Sequence, residues 1–239
     1  MSSAFWYAFV AALGNVVGAL AVTRRAAREL ALIEHFVAFG AGFMLSVALV
    51  EVLPEAFVRS GSAAPALVLA GYLAVHFTQH TLTPHFHFGE ETHAVNRLAG
   101  TSALVGLLLH TFFDGVAIAS AFLVRPALGL MVFLAIFLHK LPEGVTVSSL
   151  MMAGGRSGRQ AVGAAAMLGA ATLAGVALTD RVAFLIHHGL ALSAGVTIYV
   201  AASNLVPEFQ GKRGWKLPAA FFAGAATFYV TKHILDSVS

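Results

Sequence analysis

From residue 4 to residue 235 the chain is a succession of apolar runs, each about the 20 residues a helix needs to cross a bilayer. We place eight of them, at about 4–23, 34–57, 64–83, 99–123, 127–153, 158–179, 183–209 and 216–235. Short polar segments punctuate them, among them Arg24 to Glu29, Arg125-Pro126, Gly154 to Arg159 and Gln210 to Trp215. The pattern predicts an all-α polytopic membrane protein with eight transmembrane helices, forming one domain over 1–239. Only 10% of the residues are charged, against about 25% in a soluble domain. So little charge cannot cover a water-facing surface, and the lipid bilayer is the solvent the chain is built for.

Other classes fall away on composition. The chain has no cysteine, which removes disulfides, thiolate metal sites and cysteine nucleophiles. The formal charge of +3 comes with no basic face, so nucleic acid is not an expected partner. No cationic stretch precedes the first apolar run, which is therefore expected to be a retained span and not a cleaved signal peptide. Alanine- and glycine-rich stretches such as Gly163 to Gly175 suit helices packed closely in lipid. They are also compatible with a homodimer, although no single GxxxG face decides it.

Short-loop Lys and Arg residues set orientation. Arg24, Arg25, Arg28, Arg97, Arg156, Arg159, Lys212, Arg213 and Lys216 gather on one side, against Arg59, Arg125, Arg181 and Lys232 on the other. The richer side is expected to be cytoplasmic, with both termini outside, in a membrane of the bacterial inner (plasma) type. The longest connection, about 84–97, then lies in the cytoplasm. It carries His85, His87 and His93, and a short histidine-rich tract of this kind can bind metal loosely.

Two internal repeats carry the functional signal. His110-Thr-Phe-Phe-Asp114-Gly115-Val116 in the fourth run matches His139-Lys-Leu-Pro-Glu143-Gly144-Val145 in the fifth. A spacing of four stacks histidine and carboxylate on one helix face. Two such faces turned together offer two imidazoles and two carboxylates to one point, a donor set suited to Zn²⁺, Fe²⁺, Mn²⁺ and their neighbours. These groups bind metal only when deprotonated, so metal and proton compete. Pro142 frees the carbonyl of Leu138 within the same helix. The second repeat relates AGFMLSVALVEVLPE, which ends at Glu55, to AGVTIYVAASNLVPE, which ends at Glu208. These stretches lie in the second and seventh runs, which point in opposite directions. That is the trace of an inverted repeat relating spans 1–3 and 6–8 around a central pair, spans 4 and 5, a device of secondary transporters.

A charge at the bilayer centre costs roughly 2.5–3.5 kcal/mol. Asp114, Glu143 and Glu51 all sit well inside apolar runs, so each needs a function that offsets this cost. His35, His187, His188 and His233 lie near run ends, where an imidazole is cheap, and are read as ordinary interfacial histidines.

At the two histidine–carboxylate motifs, at Ala41-Gly42-Phe43-Met44-Leu45 and at Pro207-Glu208, the chain resembles the ZIP family of divalent metal transporters. The resemblance covers nearly the whole length. It implies that His110, Asp114 and Glu143 bind the transported metal, with His139 beside them, Met44 close by, and Glu51 two turns beyond Met44 extending the path. It implies uptake into the cytoplasm of a divalent transition metal, zinc first, with Fe, Mn, Co and Cd as alternatives, and no cofactor. The family often holds two metals, using an Asn after the first histidine and an acidic or polar residue after the second. Here Thr111 and Lys140 stand at those positions, and the sixth run has no Glu. We therefore expect one metal, with the Lys140 ammonium standing in for the second cation. Two rival readings are an intramembrane metal-dependent hydrolase and a metal-binding structural or sensor membrane protein. An H-E-x-x-H helix is absent, and the inverted repeat argues for transport, so no enzyme is expected.

Overall fold

A computed structural model describes residues 3–24, 30–80 and 97–238. Among them every regular element is helical, and each apolar run lies in a helix wherever it is described. The elements are α1 (Ser3–Arg24), α2 (Leu30–Val47), α3 (Leu53–Ser60), α4 (Ala64–His80), α5 (Arg97–Val124), α6 (Pro126–Ala153), α7 (Gly158–Thr179), α8 (Ala183–Tyr199), α9 (Pro207–Gln210) and α10 (Lys216–Val238). Among the described residues six stretches are long and apolar enough to cross a membrane, the longest being Ile33–Gln79.

That stretch of 47 residues would measure about 70 Å as a straight helix, more than twice the hydrocarbon thickness. It is broken at Gly61, whose φ of 54° is left-handed and suits glycine. The chain folds back there, because α8 packs along both α3 and α4.

The second sequence repeat has a local structural counterpart. A π-helical turn, Ala48–Val52, joins α2 to α3, and another, Val200–Leu205, joins α8 to α9. In each, an N–H reaches back five residues, Leu53 to Ala48 and Val206 to Ala201. Each turn ends just before a proline, Pro54 or Pro207, whose ring would clash with a carbonyl in an unbroken α-helix. The wider π turn makes room for that ring.

Glycines set the helix packing. A Cβ on Gly42 would lie 2.0 Å from the Phe221 carbonyl, and one on Gly224 2.0 Å from that of Phe39. Gly71 and Gly195 meet the carbonyls of Leu192 and Val68 at 2.1 and 1.9 Å. Gly115 and Gly175 meet Thr172 and Phe112 at 1.9 and 2.1 Å, and Gly18 and Gly144 meet Leu141 and Asn15 at 2.2 and 2.0 Å. Each helix of four pairs thus seats its glycine on its partner's backbone: α2 with α10, α4 with α8, α5 with α7, and α1 with α6. Two bundles result. One contains α1, α5, α6 and α7, and the other α2, α3, α4, α8, α9 and α10. They meet chiefly where α5 touches α8 and α2 touches α6. Exposed Trp6, Phe77, Phe184, Phe222 and Tyr229 give the outside the apolar skin of a membrane protein.

Candidate metal centre

The site lies where α5 and α6 face one another, two helices joined only by the turn at Arg125. His110 and Asp114 project from α5, and His139 and Glu143 from α6. All four are buried, and their ligand atoms lie within 4.8 Å of one another. Each histidine meets the carboxylate of the opposite helix. His110 Nε2 is 3.3 Å from Glu143 Oε1, and His139 Nε2 is 3.3 Å from Asp114 Oδ2. The site is thus a crossed pair of the two sequence motifs.

Lys140 completes it. Its side chain is 0% exposed, and Nζ lies 2.7 Å from both Asp114 Oδ2 and Glu143 Oε2. The Thr111 hydroxyl donates to Glu143 Oε1 at 2.7 Å. His139 Nδ1 donates to the Ala135 carbonyl at 3.1 Å, which fixes the ring so that Nε2 faces Asp114. Metal-ligating imidazoles are commonly oriented by a backbone carbonyl in this way. His110 Nδ1 and Asp114 Oδ1 are buried without partners, which leaves donor capacity unspent at the site. The set fits a divalent transition metal: two imidazoles and two carboxylates in a space that excludes bulk water.

A narrow cavity of about 20 Å³, the space of one water or ion, adjoins His110, His139 and Glu143. Leu107, Thr146, Asn204 and Glu208 also line it, which places it on the side of the site nearer the start of α5 and the end of α6.

Of the other expected residues, Met44 is fully buried on α2, in the apolar core. Glu51 sits in the first π turn, where its carboxylate accepts from Arg125 of the α5–α6 turn and from Lys232 of α10. Asp236 lies beside both cations. His85, His87 and His93 fall outside the described residues. No local motif gives Asn204 or Glu208 a place at the site, although the Pro207-Glu208 repeat lies beside them. Asn15 carries only the signal of a lone amide inside an apolar run.

A family model described as ZIP zinc transporter matches residues 89–232. Human zinc transporter ZIP6 is 31% identical over 137 residues, which cover 52% of this chain and 18% of the relative. The dog zinc transporter SLC39A7 is 31% identical over 138 residues, covering 53% and 29%. Zinc transporter ZIP10 of Danio rerio is 28% identical over 109 residues, covering 44% and 13%. These matches span less than a third of each relative's length.

Proposed function

This chain belongs to the ZIP zinc transporter family, and from that premise we propose that it carries a divalent transition metal, zinc first, across the bilayer through a single-ion site on α5 and α6. The observation that carries the reading is the crossed, buried group His110, Asp114, His139 and Glu143. Four metal-binding side chains buried at the meeting of two long apolar helices have an evident use in ion passage.

The membrane crossings follow from length. Ile33–Gln79 crosses twice, folded at Gly61, and α10 adds the last crossing, which makes eight. The glycine contacts support the inverted repeat. Exchanging α1 with α7, α2 with α8, α4 with α10 and α5 with α6 turns the α2–α10 contact into α8–α4, and α5–α7 into α6–α1. The mouths obey the same exchange. Glu51 follows Gly42 by nine residues and pairs with Lys232, eight after Gly224; Asn204 follows Gly195 by nine and bonds Gln79, eight after Gly71, at 3.0 Å.

Transport is by alternating access, the bundle with α5 and α6 moving against the other. The narrow cavity lies toward the side richer in Lys and Arg, which is the cytoplasm, so both termini lie outside and metal leaves inward. On the outer side Arg125 ties the moving bundle to Glu51 and Asp236. A half-exposed ion pair of this kind is worth little. Arg125→Ala is therefore expected to raise outside labelling of a single cysteine at Ala48 by up to about fivefold. The chain has no cysteine of its own, so it needs no other change. Unchanged labelling would remove Arg125 from the outer closure.

The test of function is metal flux into proteoliposomes, with Zn²⁺, Fe²⁺, Mn²⁺ and Cd²⁺ in competition. Saturable flux together with one zinc per chain by elemental analysis is expected. A hydrolase or a sensor would carry none, and two bound metals per chain would refute the mononuclear site.

A further inference from the structure

We propose that Lys140 is a tethered counter-cation: its ammonium takes the metal's place on Asp114 and Glu143 when the metal leaves, and so lets the empty carrier return. This rests on the metal-site reading above. The ammonium bridges one carboxylate from each helix, on oxygens that a metal at this site would need. Glu143 is then fully engaged, by Lys140, Thr111 and His110. A metal bound through these same oxygens can enter only if Nζ moves aside.

The side chain can do so. Lysine carries its charge on a flexible four-carbon stem. The base of that stem is held by α1, where a Cβ on Gly14 would lie 3.2 Å from Lys140 Cβ. The next residue, Asn15, is 0% exposed, packs its backbone on Gly144, and has no hydrogen-bond partner for either amide atom. Its Oδ1 is a buried acceptor on the helix that faces Lys140, and it receives the displaced ammonium.

Charge makes the exchange useful. Counting the two carboxylates and Lys140 alone, the site stands at −1 without metal, and a divalent ion brings it to +1. Without Lys140 those values are −2 and 0. The cost of moving charge through a low-dielectric barrier depends on the magnitude of the charge, not its sign. Lys140 thus levels the loaded and empty forms, whereas its removal favours the loaded form and stalls the empty one.

Two fluxes separate these forms. Net zinc uptake into metal-free proteoliposomes requires the empty carrier to return in every cycle. Tracer exchange, with equal zinc on both sides, does not. Lys140→Met is expected to cut net uptake at least about fivefold, the low end of coupling between two ligands, while exchange stays at or above the unsubstituted rate. Zinc affinity of the purified chain should rise by a similar factor, and Lys140→Arg should keep the original ratio of fluxes. Equal loss of both fluxes, or no change in either, overturns the proposal. Lys140→Gln is the second variant should Lys140→Met fail to fold. Asn15→Leu is expected to weaken zinc binding at least about fivefold, and unchanged affinity would overturn its assignment as the acceptor. Failure of the underlying site reading looks different: Asp114→Asn would then leave zinc binding and both fluxes untouched.

Discussion

Asp114→Ala is expected to abolish zinc uptake, with at least about a hundredfold loss of zinc affinity, beyond the 10–100-fold typical of losing an outer-shell partner. The loss exceeds that of one ligand because Lys140 remains. Asp114 and Glu143 together outweigh the ammonium by one negative charge. With Asp114 gone, Lys140 and Glu143 neutralise one another, and an arriving divalent ion meets a site of no net charge that already holds a cation. Glu143→Ala has the same consequence by symmetry, and it also strands the Thr111 hydroxyl and His110 Nε2. The fold is expected to survive both changes, since Lys140 keeps one carboxylate partner in each variant. Uptake assays on protein that elutes as a single species in detergent check this. Uptake at the unsubstituted rate by either variant would sink the site assignment.

The four-residue group was legible in the sequence because helical spacing is local information. Once two runs are helices, His110 and Asp114 must share a face, as must His139 and Glu143. That the two faces meet follows from a connection of one residue, Arg125. The pairing of Lys140 with Glu143 was legible for the same reason, since it stands beside His139 and three residues before Glu143. Glu51 was harder. Its placement on the Met44 face assumes an unbroken α-helix, but the π turn Ala48–Val52 lies between and turns the face. The carboxylate reaches Arg125 and Lys232. Thr111 read only as a departure from the family pattern, because its bond to Glu143 exists across two helices. The roles of Asn204 and Glu208 on the cavity depend on how the two bundles face one another, which no local pattern encodes.

The other large effect lies in the backbone contact that holds the site up. Gly144→Val is expected to prevent or severely weaken folding. A Cβ at Gly144 would lie 2.0 Å from the carbonyl oxygen of Asn15 and 2.7 Å from its Cα, so α1 and α6 would have to separate. No flexible side chain is available to yield, because the obstructing atoms are backbone. Overpacking a tight interior typically costs about 1–3 kcal/mol and sometimes more. In a domain of this size each kcal/mol lowers the melting midpoint by about 2–4 °C. A fall of about 10 °C or loss of the folded species is expected, read by thermal unfolding in detergent. Gly163→Val is the control, since a Cβ there meets nothing within 4 Å while the helix and the substitution are comparable. Equal midpoints for the two variants would show that the α1–α6 contact does not carry the stability assigned to it. A selective loss at Gly144 would tie the site directly to the glycine seat, because Glu143 and Lys140 hang from the same helical turn.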